Sequence, residues 1–288
     1  MLWIVYSLLT AFSLATSDAL TKRALSSGDE YFIAWERLLF ALPVLLISLL
    51  FIEFPPLDKT FWLATLCALP LEITAIILYT KALKSSPLSL TMPFLALTPV
   101  FLILMSYLIL GERVSKEGAA GIILMAAGSY LLNIHKIKKS LLEPVKAIFR
   151  EKGSVMMIAV AFIFSFTSSL GKMAIEHSSP VFFGAFYFIL VFLLFTPIAV
   201  MKNRGGIIIA KKDIIPLASI GVTYSLMIIF HMLAMNLVNV AYMISVKRTS
   251  LLFSILYGCF LFNEERIAGK AIGSVIMLSG FILIVFSK

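Results

Sequence analysis

Thr16-Ser17-Asp18-Ala19-Leu20-Thr21-Lys22-Arg23-Ala24-Leu25 returns 150 positions later as Phe166-Thr167-Ser168-Ser169-Leu170-Gly171-Lys172-Met173-Ala174-Ile175. Further along, the offset is 152: Ala82, Glu112, Gly121, Met125 and Gly128 are matched by Ala234, Glu264, Gly273, Met277 and Gly280. Matched aliphatic residues mean little in so apolar a chain. A glutamate and two glycines kept in register are hard to obtain by chance, so the chain is an internal duplication.

Composition says where the two copies reside. Hydrophobic residues make up 61% and charged residues 14%, with a mean hydropathy of +1.04. That leaves too little polar surface to wrap a soluble core. A hydrocarbon layer about 30 Å thick needs roughly 20 apolar residues per helix. Stretches of that kind predict spans at Leu2–Leu20, Tyr31–Ile52, Phe61–Lys81, Pro87–Leu110, Ala119–Ile134, Val155–Ile175, Val181–Met201, Ile214–Ala234, Asn239–Phe262 and Ile267–Phe286. The first has no basic segment ahead of it, and Asp18 falls where a cleavage site would need small residues, so it reads as a span and not a signal peptide.

Five spans per copy is an odd number, which carries the chain to the opposite side and makes the second copy insert upside down. The predicted fold class is therefore an all-α membrane protein: ten transmembrane helices as two inverted five-helix repeats around a central cavity. Residues 1–134 form the first repeat, 135–153 a basic central loop and 154–288 the second repeat. Inverted repeats recur in secondary transporters, whose substrate sits near the midplane between the halves.

The repeat resembles that of the drug/metabolite transporter superfamily, EamA-like branch. The resemblance is carried by Ala82-Leu83-Lys84, the run from Ser86 to Thr98-Pro99-Val100, Gly111-Glu112-Arg113-Val114, and Gly118 through Gly128. The second copy repeats it with Ala234, Asn263-Glu264-Glu265-Arg266, Gly273 and Gly280. Relatives often carry Trp-Gly in the first span, where this chain has Thr16-Ser17-Asp18. The resemblance implies a ten-helix bundle with a central cavity that moves small metabolites.

Ionisable residues deep in a span carry the most functional information, because each costs about 2.5–3.5 kcal/mol on insertion scales and faces a wet cavity or a partner. Lys247 and Arg248 lie eight and nine residues into the ninth span, roughly 12–14 Å down at 1.5 Å per residue. Glu72 lies near the middle of the third. Asp18, Lys22, Glu36, Arg37 and Lys172 are nearer span ends, where solvation is the commoner circumstance; of these the symmetry-related Lys22 and Lys172 are the candidates for the site. An Arg fork and a Lys point charge suit a carboxylate or phosphate. The pair also resembles the Lys-Arg dipeptide in the corresponding span of the triose-phosphate translocators, where it holds phosphate. Structural neutralisation of Glu72 by the two cations is the alternative role. Thr98 and Tyr242 are candidates for neutral hydrogen bonds, and Tyr79, Tyr224 and His231 for the cavity wall.

Pro87, Pro93 and Pro99 predict a kinked fourth helix. The ninth has no proline, which makes the halves unequal. Gly118, Gly121, Gly128, Gly269, Gly273 and Gly280 predict close helix approach. Cys67 and Cys259 read as buried packing residues, and no metal site, cofactor or nucleic-acid partner is expected. Membrane lipids and a small-molecule substrate are the expected partners; homodimerisation is not determined.

No nucleophile elbow or zinc-binding His-Glu-x-x-His motif favours an enzyme acting on a lipid-linked substrate. No phosphate-binding loop supplies ATP energy. The predicted function is thus gradient-driven transport of a small polar, anionic metabolite across the cytoplasmic membrane, with a drug or lipid-carrier exporter of the same superfamily as the alternative. Orientation stays open. Lys136, Lys138, Lys139, Lys146, Arg150 and Lys152 in the central loop place it in the cytoplasm and both termini outside by the positive-inside rule, whereas the resemblance implies both termini inside.

Overall fold

Within lipid no water satisfies backbone N–H and C=O groups, so apolar segments fold as helices that satisfy their own. A computed structural model describes residues 1–24, 30–85, 92–131, 152–202, 214–262 and 271–287. All regular structure among them is helical: α1 (Leu2–Ala24), α2 (Glu30–Leu49), α3 (Lys59–Ser85), a 3-10 turn (Met92–Leu97) running into α4 (Thr98–Leu110), α5 (Lys116–Leu131), α6 (Lys152–Glu176), α7 (Pro180–Lys202), α8 (Ile214–Leu237), α9 (Val240–Lys247), α10 (Ser250–Phe262) and α11 (Ala271–Phe286). Six of these, α1, α2, α3, α6, α7 and α8, are long and apolar enough to cross a membrane. The chain is a multi-pass membrane protein.

The outer surface is apolar, unlike that of a soluble bundle, and the interior carries buried hydroxyls among its apolar residues. Leu66, Leu108, Ile123 and Val275 are exposed in mid-helix, while Ser7, Ser17, Thr65, Ser106, Ser165 and Ser169 are buried. Several of the buried hydroxyls bond the carbonyl one turn back, as Ser106 does to Leu102 at 2.7 Å and Ser169 to Ser165 at 2.9 Å. Cys67 departs from expectation. It is exposed, on the outer face of α3, and not packed inside; the side chain of Cys259 lies outside the described residues.

Contacts between helices respect the duplication. The α1–α8 pair in one direction corresponds to α6–α3 in the other, and both pack extensively. In the α5–α11 contact a Cβ added to Gly121 would stand 2.7 Å from the Gly280 carbonyl, and one added to Gly128 would stand 2.8 Å from the Gly273 carbonyl. Since Gly121 and Gly128 correspond to Gly273 and Gly280, exchanging the copies maps each contact onto the other. Only glycine permits this approach. Gly269 lies outside the described residues.

The fourth predicted span is interrupted as its prolines require, by the 3-10 turn that precedes Thr98-Pro99. The ninth is interrupted as well, although it carries no proline. α9 ends at Lys247, and after a turn at Arg248-Thr249 the helix restarts at Ser250. Tight bonds bridge the break: Arg248 N–H to Ser245 C=O at 2.9 Å and Thr249 N–H to Val246 C=O at 3.0 Å. A broken helix without proline leaves no mark in the hydropathy pattern and is not read from residue order alone.

Candidate functional site

The two broken helices meet at their breaks. The Arg248 guanidinium donates from Nη2 to Thr98 Oγ1 at 3.0 Å. Thr98 opens α4, and its hydroxyl donates in turn to the Leu95 carbonyl at 2.8 Å. In this part of the chain the offset is 152, so the counterpart of Thr98 is Ser250, which opens α10 as Thr98 opens α4. Arg248 stands two residues ahead of that counterpart, and its contact with Thr98 joins the break of one copy's helix to the break of the other's.

Around this point a ring of polar side chains keeps accessible surface inside the bundle. Lys247 and Arg248 are half-buried although Val246, Thr249 and Ser250 beside them are buried. Glu72 of α3 accepts a hydrogen bond from Thr167 of α6 and lies within electrostatic range of Lys247. Tyr187 of α7 and Tyr224 of α8 feel the Glu72 charge. His231 of α8 lies in the field of Lys247 and Arg248, with its Nδ1 buried and unpartnered among the described residues. Tyr79 of α3 lies in the fields of Asp18, Arg37 and Arg248.

Two residues that the sequence left at span ends belong to this ring. Arg37 donates from Nη1 to Asp18 Oδ1 at 2.9 Å, and its guanidinium carbon sits 3.9 Å from the Tyr224 ring centroid. Lys247 lies within electrostatic range of both members. The signal was available. Arg37 is six residues past Tyr31, about 9 Å deep at 1.5 Å per residue, not far short of the depth that singled out Lys247. The ring thus holds three cations (Arg37, Lys247, Arg248) and two carboxylates (Asp18, Glu72), a net charge of +1 when all are ionised. Arg37 is ion-paired with Asp18, whereas Lys247 is within electrostatic range of Glu72 and Asp18. Among the described residues Arg248 has neutral Thr98 as its hydrogen-bond partner, with Nε buried and unbonded, and it lies within electrostatic range of Asp18.

The structure places Lys172 elsewhere. It lies five residues beyond Thr167 on α6, about 7.5 Å further along, in a dense polar junction. Its ammonium donates to Glu112 Oε1 and, at 2.7 Å, to the Val238 carbonyl, with Glu176 at 4.0 Å. The other Glu112 oxygen accepts the Val240 N–H at 2.9 Å, which places a carboxylate at the N-terminus of α9, where the helix dipole favours it. Asn239 Nδ2 donates to the Arg113 carbonyl at 2.9 Å. Tyr242 joins this junction and not the central ring: its hydroxyl accepts the Ser115 N–H at 2.9 Å and lies 3.2 Å from Ser115 Oγ. A Cβ on Gly118 would fall 2.2 Å from that hydroxyl, so glycine makes room for the ring. Lys22 closes α1, and its side chain lies outside the described residues.

Comparisons with known proteins bear on the family and the fold. A family model described as the EamA-like transporter family matches residues 1–134 and again 151–286. No curated protein matches the chain in sequence. Among solved structures 28 chains are similar. One, titled "Crystal structure of protein", superposes with a TM-score of 0.74 at 16% identity, covering 97% of this chain and 96% of its own. At that identity the likeness concerns the fold.

Proposed function

Because the chain belongs to the EamA-like transporter family, we propose that it is a gradient-driven carrier of a small polar, anionic metabolite in the cytoplasmic membrane. In this proposal ten spans form two inverted repeats, and the substrate binds where their broken helices meet. The observation that carries it is Arg248. A guanidinium where the two broken helices meet, hydrogen-bonded to a neutral hydroxyl and with its Nε unbonded among the described residues, offers a positive charge and hydrogen-bond donors to an anion. Lys247 and Glu72 set the local field, Thr98 orients Arg248, and Tyr79, Tyr224 and His231 form the wall.

Lys172, Tyr242 and the Glu112 carboxylate have a different part in this proposal. They join the 111–118 segment of the first copy to α6 and the start of α9 in the second, closing one end of the space between the halves. Release of that end for alternating access requires the junction to part. The sequence repeats the pair as Lys22 and Glu264.

The test is binding to purified protein after Arg248→Gln and, separately, Lys247→Met, each checked for folding and membrane insertion. Carboxylated and phosphorylated metabolites are screened by thermal shift, because a ligand of the folded state raises apparent stability. Loss of one polar charge contact predicts about 10- to 100-fold weaker binding for Arg248→Gln, from about 1.5–3 kcal/mol per charged hydrogen bond. If both variants bind every anion as the parent does, the cations are scaffolding and the proposal fails.

A further inference from the structure

Arg37 is built as a ligand-binding group. A guanidinium has two edges that present paired N–H donors, and in Arg37 they are used differently. Nη1 is held by Asp18 at 2.9 Å. Nε and Nη2, which together form the side-on fork, are buried and have no partner among the described residues. The flat face rests on Tyr224 with the carbon 3.9 Å from the ring centroid. Asp18 and Tyr224 therefore fix the plane of the group and leave its open edge directed away from both. A buried donor pair without an acceptor is costly to a fold. Such a fork matches the two oxygens of a carboxylate, which it binds with parallel hydrogen bonds.

We infer that Arg37 is a second anion-binding residue, specific for a carboxylate, and that the transported species carries two anionic groups, one on Arg37 and one on Arg248. This rests on the proposed role of Arg248. Both guanidinium groups lie within electrostatic range of Tyr79, which is itself half-buried. The ring's net charge of +1 adds a constraint, since a ligand with two anionic groups is balanced there only if it brings one positive charge. That charge is either the ligand's own ammonium or a proton taken up by Glu72. The groups facing Glu72 are Thr167 of α6, Lys247 of α9, Tyr187 of α7 and Tyr224 of α8.

Butyrate, succinate and aspartate separate the cases. They offer one carboxylate, two carboxylates, and two carboxylates with an ammonium. Calorimetric titration of the purified, full-length protein is expected to give at least 10-fold tighter binding of succinate or aspartate than of butyrate. Arg37→Gln is expected to collapse the ratio of succinate or aspartate affinity to butyrate affinity, whatever it does to butyrate binding itself, and Arg37→Lys restores part of that ratio. The Lys variant also serves where the Gln variant does not fold. A proton on Glu72 appears as succinate binding that tightens as pH falls and takes up a proton in buffers of differing ionisation enthalpy; an ammonium appears as preference for aspartate without proton uptake. Equal affinity for all three in the parent, or an unchanged preference in Arg37→Gln, overturns the inference and leaves the anion site on Arg248 standing. Absence of butyrate, succinate and aspartate binding together with an Arg248→Gln protein indistinguishable from the parent would instead bring down the underlying proposal.

Discussion

Lys172 and Arg248 are both cations sunk in an apolar bundle, and their surroundings are opposite. Lys172 has a carboxylate and a backbone carbonyl within hydrogen-bond reach, and its counter-ion Glu112 has its second oxygen bonded to the head of α9. Among the described residues Arg248 has one neutral hydroxyl as a hydrogen-bond partner and an unbonded Nε. A buried ion whose hydrogen bonds are met inside the protein stabilises the junction it belongs to. One whose capacity is left over destabilises its own site, and persists because something else completes it. Burial and charge type alone do not distinguish the two; the partner count does.

The sharpest way to break that comparison is Lys172→Met. Removing one member of a buried pair strands the other, at about 3–5 kcal/mol. A large drop in thermal midpoint in detergent is expected, and the double variant Lys172→Met/Glu112→Leu recovers much of it. If the single variant melts with the parent, Lys172 has no structural role at the junction. Tyr242→Phe tests the same junction more gently. It removes an acceptor for the Ser115 N–H, so a loss of about 1–2 kcal/mol is expected from one unmet buried donor, and substrate affinity stays at the parent value.

The corresponding change at the centre has the reverse signature. Arg248→Met brings the sum of ring charges from +1 to 0, so stability is expected to stay within about 1 kcal/mol of the parent or to rise, while anion affinity falls. A destabilisation as large as that of Lys172→Met would erase the distinction between the two regions. The smallest effect concerns Asp58, outside the helical spans. Its carboxylate caps α3 by accepting the Phe61 N–H at 2.8 Å and pairs with His177 Nδ1 at 2.7 Å. The backbone hydrogen bond, with the contact to His177, holds its pKa below the ordinary carboxylate value. A depressed pKa contributes stability that is fully present above the ordinary value, about 3.9, and is lost as pH falls through the lowered one. A slight decline in thermal midpoint below about pH 4 is expected, flattened in Asp58→Asn, which keeps a cap but not the charge.

Much of the fold was legible in the chain because membrane insertion leaves a coarse, linear record. Apolar length marks helices, and the Lys22/Lys172, Glu112/Glu264 and glycine registers mark the duplication, all independent of packing. The same arithmetic of depth singled out Lys247, Arg248 and Glu72. It passed over Arg37 and Asp18 because their distance from a span end was judged along one helix, whereas their exposure depends on which helices stand beside them. The break at Arg248-Thr249 was equally silent, since it is held by tertiary contacts and not by a proline.

What the sequence by itself determined is therefore composition-borne: a helical membrane protein, two copies of one unit, and a few charges whose insertion cost demands a reason. What only the tertiary structure decided is which charges share a space and how fully each is partnered. That Thr98 and Arg248 touch, that Lys172 is saturated by Glu112 and Val238, and that Arg37 presents an open fork all depend on side chains brought together from helices far apart in the chain. Hydrogen bonding is directional and short-ranged, so residue type and spacing leave it undetermined until the helices are packed.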